Sequence, residues 1–417
     1  MTEKYKILTI SDHPLVSSGV GTQTRYIIEG LLAKGNYSFR SLGGAMKHDD
    51  YRPLNVQEYN GDWIIYPVDG YGDEHMMRQI LDIEKPDAVW FMTDPRFFHW
   101  LFQISDEIRD RGIPLLYYHV WDNYPVPEFN KHFYHSCDFV GCISKLTHDI
   151  LCKLDMEDRS SYIPHAVNAD VFKPLSVNDI LKEKREILGD NREKFIVFYN
   201  SRNARRKMTS DVVKTFKMFL DEVGQDKAFL FMHTDPFDRE GANLIEVAKM
   251  LGLNDTQISF SKNRVPPEVM AKFYNIADVT INISNNEGFG LSCLESLSCG
   301  TPVIVNKTGG LQDQPVDDEG NVFGVIIDPA TKSLTGSQEI PYIIDDRCTD
   351  EDVLAAFKKI YEMTPEERKE MGLKAREWTK RAFSLTNMVD AWHEVILKFI
   401  KKFKEKGYED RIRQVRI

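Results

Sequence analysis

Short apolar runs alternate with amphipathic helical patterns along most of the chain. Between the runs lie stretches with apolar residues at spacings of three and four, such as "TQTRYIIEGLLAKG". Strands that alternate with helices predict a parallel sheet covered on both faces. Five strands are predicted in the first half of the chain: "YKILTI" (5–10), "DWIIYPV" (62–68), "AVWFMT" (88–93), "PLLYYHV" (114–120) and "FVGCIS" (139–144).

The alternation restarts after a polar segment, 167–194, which predicts a linker and a short helix. Six further strands are predicted: "FIVFYN" (195–200), "AFLFMH" (228–233), "ISFS" (258–261), "VTINIS" (279–284), "PVIV" (302–305) and "FGVIID" (323–328). The two series predict an α/β protein with two Rossmann-like domains in tandem. We expect a substrate to bind near the carboxyl ends of the strands.

Three helical patterns end the chain. The first two, 349–363 and 364–383, each open with a threonine and an acid three residues later, which predicts capping boxes. The third carries an apolar stripe that must be buried somewhere. Its members are Met388, Trp392, Val395, Ile396 and Phe399. The segment 331–348 follows no regular period and is predicted to be an inserted loop.

Composition limits the class of protein. A chain of 417 residues is too long for one ordinary core and suggests two domains. The formal net charge of -11 argues against a general polyanion binder, although the C-terminal tail is rich in lysine and arginine. The six cysteines form no CxxC pair, which suits a reducing cytosol. No signal peptide is recognisable, and no apolar run reaches the ~18 residues of a membrane span. We therefore expect a cytoplasmic protein, with the basic tail as a candidate contact to a membrane surface or DNA.

The stretch "NNEGFGLSCLES" (285–296) carries the strongest candidate chemistry. Glu287 and Glu295 flank glycines whose backbone NH groups could face an anion. Ser292 and Glu295 also fit a capping box, which needs no ligand. Glu287 lies outside that pattern, and an ionised carboxylate there suits sugar or ribose hydroxyls, since it is an acceptor for OH donors.

Each predicted domain has a candidate anion site after its first strand: glycines in the first domain and cations in the second. In "YNSRNARRKM" (199–208), Arg202 and Lys207 suit a diphosphate, although a run of charge is more often only a solvated face. In "SSGVGTQT" (17–24), Gly19 and Gly21 open a helix whose N-terminus favours an anion, but the motif is not a dinucleotide fingerprint.

One histidine is a candidate for catalysis, and two acidic motifs are candidates for metal binding. His119, at the end of a predicted strand, could hold a substrate hydroxyl, although a histidine there is more often structural. Neither "TDPR" (93–96) nor "VDD" (316–318) fits a D-x-D metal clamp placed after a strand. These acids therefore form no metal clamp of this type; that neither a metal nor a cofactor is needed is what the family resemblance below implies.

These motifs together resemble the family-4 retaining glycosyltransferases. The paired glutamates, the following "CGTPV", Arg202 with Lys207, "SSGVG", "YYHVWD" and "IPHAVNADVFKP" are all similar to family motifs, and the resemblance covers nearly the whole chain. It implies the GT-B fold, in which two Rossmann-like domains face each other across a cleft and a C-terminal helix returns to the first domain. The implied domain limits are 1–172 for the first domain and 173–384 for the second, followed by the returning helix and basic tail at 385–417.

The resemblance also implies a role for each site residue. Arg202 and Lys207 would bind the donor diphosphate, and Glu295 would hold the ribose. Glu287 would contact the transferred sugar, and His119 would lie by the reacting centre. Gly19, in the loop with Gly21, would border the donor phosphates or the acceptor. The backbone near sugar and phosphate would be that of Gly288, Phe289, Gly290 and Leu291.

The sequence departs from the family pattern at a few positions. His165 and Asn168 stand where the family usually has Asn and Asp, which puts the detail of the interdomain segment in doubt. Ser201 replaces the glycine of the usual "GR", and the insert 331–348 has no counterpart in the family.

The resemblance implies transfer of a sugar from a UDP- or GDP-sugar to an acceptor hydroxyl, with retention of configuration, in glycan or polysaccharide synthesis. The acceptor is left open among glycans, lipid-linked sugars and nucleic acid. Two alternatives remain: a phage-type enzyme that glycosylates a hydroxylated DNA base, and a non-catalytic protein that binds sugar nucleotides.

Overall fold

The computed structural model describes residues 4–406. The chain divides into two units. The first takes in the chain up to Ala166, a short piece at Ser337–Pro341, and the chain from Leu385 onward. The second comprises Val167–Gly336 and Tyr342–Ser384. The chain thus passes from the first unit to the second at Ala166, whereas the sequence places this boundary at 172.

The first unit is built on an eight-stranded sheet. Its strands are β1 (Tyr5–Asp12), β2 (Tyr37–Gly44), β3 (Leu54–Asn55), β4 (Trp63–Pro67), β5 (Ala88–Thr93), β6 (Leu115–His119), β7 (Phe139–Cys142) and β8 (Ser160–Tyr162). The strand order is β3-β4-β2-β1-β5-β6-β7-β8, and every pair is parallel except β3 with β4. The helices before Ala166 are α1 (Gly19–Ala33), α2 (Glu74–Glu84), α3 (His99–Gln103), α4 (Ser105–Asp110), α5 (Lys131–His135) and α6 (Lys145–Cys152).

The second unit is built on a six-stranded parallel sheet and a separate hairpin. Its strands are β9 (Phe195–Asn200), β10 (Ala228–His233), β11 (Ile258–Ser261), β12 (Val279–Asn282), β13 (Val303–Asn306), β14 (Gly324–Ile327), β15 (Thr331–Thr335) and β16 (Ile343–Arg347). The helices are α7 (Val177–Leu188), α8 (Thr209–Val223), α9 (Leu244–Met250), α10 (Pro267–Ile276), α11 (Leu291–Ser298), α12 (Asp350–Glu362) and α13 (Pro365–Ala382). The sheet order is β11-β10-β9-β12-β13-β14.

Apolar runs located the predicted strands because strands of a parallel sheet are buried on both faces. All eleven predicted strands are present, and their ends differ from the predicted ones by at most two residues. The sequence missed β2, although it is a central strand. Its "YSFRSLGG" is interrupted by Arg40, whose side chain lies mostly buried and binds Glu84 at 2.9 Å. A buried ion pair of this kind breaks the apolar pattern without breaking the strand.

The segment 331–348 was wrongly predicted to lack regular structure. β15 and β16 pair as an antiparallel hairpin, in which Thr331 lies opposite Arg347 and Thr335 opposite Ile343. The strands carry polar residues on both faces, so the sequence shows no apolar run there. Their backbone NH and carbonyl groups hydrogen-bond to each other. Both predicted capping boxes are confirmed, at Thr349 with Asp352 and at Thr364 with Glu367.

The last helix, α14 (Leu385–Lys406), belongs to the first unit, as predicted for a helix that returns there. Met388, Trp392, Ile396 and Phe399 are buried, while Val395 is only partly covered. The Trp392 ring meets Trp90 and Tyr118 edge-on at 5.6 and 5.1 Å. The predicted contact of the basic tail with a membrane surface or DNA concerns residues that, beyond Lys406, lie outside the described part of the chain.

Gly141→Ala is expected to destabilise the first unit by about 1–3 kcal/mol, because a methyl group there overpacks the site of Trp392. A Cβ at Gly141 would lie 2.6 Å from the Trp392 ring, closer than real contacts allow. Urea unfolding measures the loss. The smaller ring of Trp392→Phe should recover part of it in the double variant, and equal losses in the single and double variants would contradict this packing.

Candidate active site

The second sheet brings two polar loops together at one edge. β9 lies between β10 and β12, so the strand order reverses there, as in doubly wound sheets that bind ligands at such a switch point. The loop after β9 carries Arg202 to Lys207, and the loop after β12 carries Glu287. Because both strands are parallel, both loops leave from the same edge of the sheet.

Lys207 and Glu287 form the central ion pair. The Lys207 ammonium donates to Glu287 Oε2, and the two side chains are only 10% and 13% exposed. Charges so far from water are found in pairs because an isolated buried charge is costly. Burial works to raise the pKa of the Glu287 carboxyl, but Lys207 and then Arg206 outweigh it, so that the pKa is lowered and Glu287 is ionised.

Arg206 joins the same two loops, although the sequence pattern predicted no separate role for it. Its backbone carbonyl accepts a hydrogen bond from the Asn285 NH at 2.8 Å, and its Nη1 donates to the Asn286 carbonyl at 2.8 Å. Nη1 also lies 3.9 Å from Glu287 Oε2. Arg206 was one of several arginines in a charged run, and only the contact between loops distinguishes it.

Arg202 is placed differently from Lys207. Its side chain is 64% exposed and turns to the loop after β10, where its guanidinium binds Asp238 through two hydrogen bonds of 2.7 and 3.1 Å. The hydrogen bonds from Arg202 hold the pKa of Asp238 below its usual value. The structure therefore brings Lys207, but not Arg202, to Glu287.

Glu295 has a neutral partner. The Tyr274 hydroxyl donates to Glu295 Oε2 at 2.8 Å, and Asn200 Nδ2 donates to the same hydroxyl at 2.7 Å. Burial raises the pKa of Glu295 to about 7, and the hydrogen bond from Tyr274 opposes this only in part. Sequence reasoning missed Tyr274 and Asn200, because their meeting depends on the fold. The polar Asn200 at the end of an apolar strand was the available signal.

The capping box at Ser292 and Glu295 was a wrong interpretation. Helix α11 begins at Leu291, and its N-cap is Gly290, which has a φ of 89° and makes no side-chain cap bond. Ser292 is thus already inside the helix, and Glu295 is bound by Tyr274. A left-handed turn at glycine starts this helix without a capping side chain.

A second glycine segment fixes the backbone at Gly288–Leu291. A Cβ at Gly290 would lie 2.3 Å from the Leu311 side chain, and one at Gly310 would lie 2.6 Å from the Gly288 carbonyl. The Gly310 NH donates to the Glu287 carbonyl at 3.0 Å. The loop therefore packs backbone against backbone, which leaves it little freedom to change shape.

In the first unit, Gly19 and Gly21 lie in the first turn of α1. Ser18 caps this helix: its hydroxyl accepts from the Gly21 NH at 2.9 Å and donates to Asp12 Oδ2 at 2.7 Å. A Cβ at Gly21 would lie 2.8 Å from the His13 carbonyl, so the turn requires glycine. The predicted helix start at this motif is present.

His119 ends β6 and is fully buried. Its Nδ1 lies 3.4 Å from the Tyr117 hydroxyl, and its Nε2 has no hydrogen-bond partner among residues 4–406. Burial lowers the pKa of His119 to about 3, so the imidazole is neutral. An unsatisfied buried nitrogen costs free energy, so a hydrogen-bond acceptor or donor brought to His119 Nε2 would be favourable.

Three further expectations concern metal, membrane and thiols. Residues 4–406 contain no group of three or more His, Cys, Asp or Glu side chains arranged to hold a metal ion; the expectation of a metal-independent protein stays a prediction. In the same part of the chain no helix has both the length and the apolar character to cross a membrane. All six cysteines are free thiols.

Comparison with known proteins finds similar sequences for the segment that carries these features. Residues 181–378, which include both glutamates, match the family model described as glycosyl transferases group 1. A D-inositol 3-phosphate glycosyltransferase of Corynebacterium jeikeium is 31% identical over 170 residues, which cover 40% of this chain and 39% of the relative. The chain thus spans about two fifths of the length of the curated relatives that it matches first.

Solved structures show the same fold over almost the whole chain. Sucrose-phosphate synthase from Thermosynechococcus elongatus matches 95% of this chain and 100% of its own, with a TM-score of 0.73 and 16% identity. The Anabaena protein HepE, in complex with UDP and glucose, matches 94% of this chain and 100% of its own, with a TM-score of 0.67 and 14% identity. The predicted family resemblance and the predicted GT-B fold are confirmed.

Glu295→Gln is expected to stabilise the protein more at pH 8 than at pH 5. The folded-state pKa of about 7 exceeds the ordinary value of 4.5, so between these pH values the unfolded chain releases a proton that the folded chain keeps. Stability from this group is therefore lost as pH rises through that window. We expect the gain in unfolding free energy from Gln to reach on the order of 1–2 kcal/mol at pH 8.

Urea unfolding at both pH values measures the gain, with Glu246→Gln on an exposed helix as the matched control. A gain from Glu295→Gln that is the same at pH 5 and pH 8 would contradict the raised pKa.

Proposed function

We propose that this protein is a retaining glycosyltransferase that moves a sugar from a UDP- or GDP-sugar to an acceptor hydroxyl. The observation that carries the proposal is the buried Lys207–Glu287 pair at the switch point of the second sheet, with Glu295 on the neighbouring helix. An ammonium for a diphosphate and two carboxylates for hydroxyls are the groups that a sugar nucleotide needs. The UDP and glucose bound in HepE are the two parts of such a ligand.

Each residue has a proposed part in donor binding. Lys207 binds the diphosphate as a point charge, and Arg202 reaches it by leaving Asp238. Glu287 accepts hydrogen bonds from the transferred sugar, and Glu295 accepts them from the ribose. NH groups of Gly288–Leu291 face the sugar and phosphate at the start of α11. In the first unit, the unsatisfied Nε2 of His119 supports a hydrogen bond to a sugar hydroxyl, and Gly19 at the start of α1 borders phosphate or acceptor.

The proposed chemistry needs charge stabilisation and positioning from the protein. The bond between the anomeric carbon and the diphosphate oxygen breaks, and the acceptor oxygen attacks the same face. The acceptor proton passes to the leaving phosphate. Lys207 stabilises the negative charge that develops on the diphosphate, and Glu287 holds the sugar for attack. His119 is neutral, so it acts by hydrogen bonding and not as a cation.

A donor panel followed by product analysis tests the proposal. UDP-, GDP- and ADP-sugars are first compared by thermal shift, since a bound ligand stabilises by mass action. The stabilising donor is then incubated with glycan, lipid-linked and DNA acceptors carrying free hydroxyls. We expect release of nucleoside diphosphate and, by proton NMR, the same anomeric configuration in product and donor.

The competing functions give different results in the same assay. Donor binding without turnover on any acceptor would favour the non-catalytic alternative, and transfer to hydroxylated DNA alone would favour the DNA-modifying one. An inverted product would contradict retention, and the absence of binding by every sugar nucleotide would overturn the proposal.

A further inference from the structure

The loop that carries Glu287 is held from two sides. On one side, Arg206 binds the Asn285 NH and the Asn286 carbonyl, each at 2.8 Å. On the other side lies β16 of the hairpin 331–347, which the family resemblance does not account for. The side chains of Asn285 and Asn286 are buried, and both bind a residue of this hairpin.

Asp345 on β16 accepts hydrogen bonds from the side chains of both Asn285 and Asn286. Its Oδ1 accepts from Asn286 Nδ2 at 2.7 Å, and its Oδ2 accepts from Asn285 Nδ2 at 3.4 Å. The Asp345 side chain is only 15% exposed, and Arg347 lies 3.7 Å away on the same strand. Hydrogen bonds to a charged acceptor are stronger than those between neutral groups, so this carboxylate is a firm anchor.

The backbone of β16 adds further contacts to the same loop. The Asp346 NH donates to the Asn285 carbonyl at 2.8 Å. Asn306 Nδ2, at the end of β13, donates to the carbonyls of both Ser284 and Asp346, at 2.9 and 2.8 Å. The hairpin is therefore continuous with the edge of the sheet at which Glu287 lies.

We propose that Asp345 is a positioning residue for the transfer reaction, and that the hairpin is part of the donor site. By fixing Asn285 and Asn286, Asp345 sets the chain position from which Glu287 reaches Lys207. The role rests on the proposed function of Glu287. A site held within a fraction of an ångström needs support of this kind, and small displacements of a reacting group cost large factors in rate.

Asp345→Ala tests the role by separating turnover from nucleotide binding. We expect kcat to fall about tenfold or more, because the loop of Glu287 loses the anchor that holds both asparagine side chains. The Kd for nucleoside diphosphate alone should stay within about twofold, because Glu295 is anchored elsewhere by Tyr274. Asp345→Asn keeps an oxygen for Asn286 and should recover most of kcat. Asp328→Ala, which removes an 80% exposed carboxylate just before the hairpin, is the matched control.

Each result of the Asp345 variants supports or overturns the positioning role. Wild-type kcat in Asp345→Ala, or no recovery in Asp345→Asn, would overturn the role. Equal losses of kcat, nucleotide affinity and thermal stability would mean that Asp345 only supports the fold. If Asp345→Ala does not fold, Asn286→Ala removes the same hydrogen bond from the loop side and must lower kcat. A wild-type protein that transfers no sugar would instead overturn the proposed function, and this role with it.

Discussion

Lys207→Ala is expected to lower kcat/KM for the donor by about tenfold to a hundredfold. The substitution removes the ammonium proposed to bind the diphosphate, and a contact to a charged group is worth about 1.5–3 kcal/mol. It also leaves Glu287 as a buried carboxylate without its main partner. Breaking such a pair costs about 3 kcal/mol of stability. Steady-state kinetics and urea unfolding measure the two effects.

Two further variants separate the effects of Lys207 on folding and on chemistry. Arg205→Ala removes an exposed cation of the same loop and should change neither quantity much. The double variant Lys207→Met/Glu287→Gln has no unpaired charge and should regain stability while it stays inactive. Arg202→Ala is expected to weaken donor binding less than Lys207→Ala, because Arg202 must first give up Asp238. Full activity in Lys207→Ala would move the phosphate site elsewhere.

Glu295→Ala and Glu287→Ala are expected to fail in different ways. Glu295→Ala should weaken binding of the nucleoside diphosphate about tenfold, because it removes the proposed acceptor of the ribose hydroxyls. Glu287→Ala should leave that affinity within about threefold and lower kcat about a hundredfold, because its proposed partner is the transferred sugar. Calorimetry with UDP or GDP, beside steady-state rates, measures both.

The control for this pair is Tyr274→Phe, which removes the hydrogen bond to Glu295 and keeps the ring in the core. It should weaken nucleotide binding mildly and leave kcat nearly unchanged, because it acts only through Glu295. Equal losses of nucleotide affinity in Glu287→Ala and Glu295→Ala would show that the division of roles between the two glutamates is wrong.

The sequence predicted most of the fold, because its signals are local. An apolar run between polar loops identifies a buried parallel strand, and a threonine with an acid three residues later identifies a helix start at Thr364. β2 was not predicted because Arg40 interrupts its apolar run, and the partner that allows Arg40 to be buried, Glu84, is distant in the sequence. The hairpin 331–347 was not predicted because its strands bury no apolar face. Strands of this kind pair through their backbones without producing a hydrophobic pattern in the sequence.

The sequence by itself determined which residues end the strands of the second sheet, and therefore that Lys207 and Glu287 share one edge. Only the tertiary structure decided their partners: Lys207 binds Glu287, while Arg202 turns away to Asp238. It alone joined Asp345 to the loop of Glu287. Strand ends follow from local periodicity, but the pairing of side chains depends on which distant loops meet and on how far water is excluded between them.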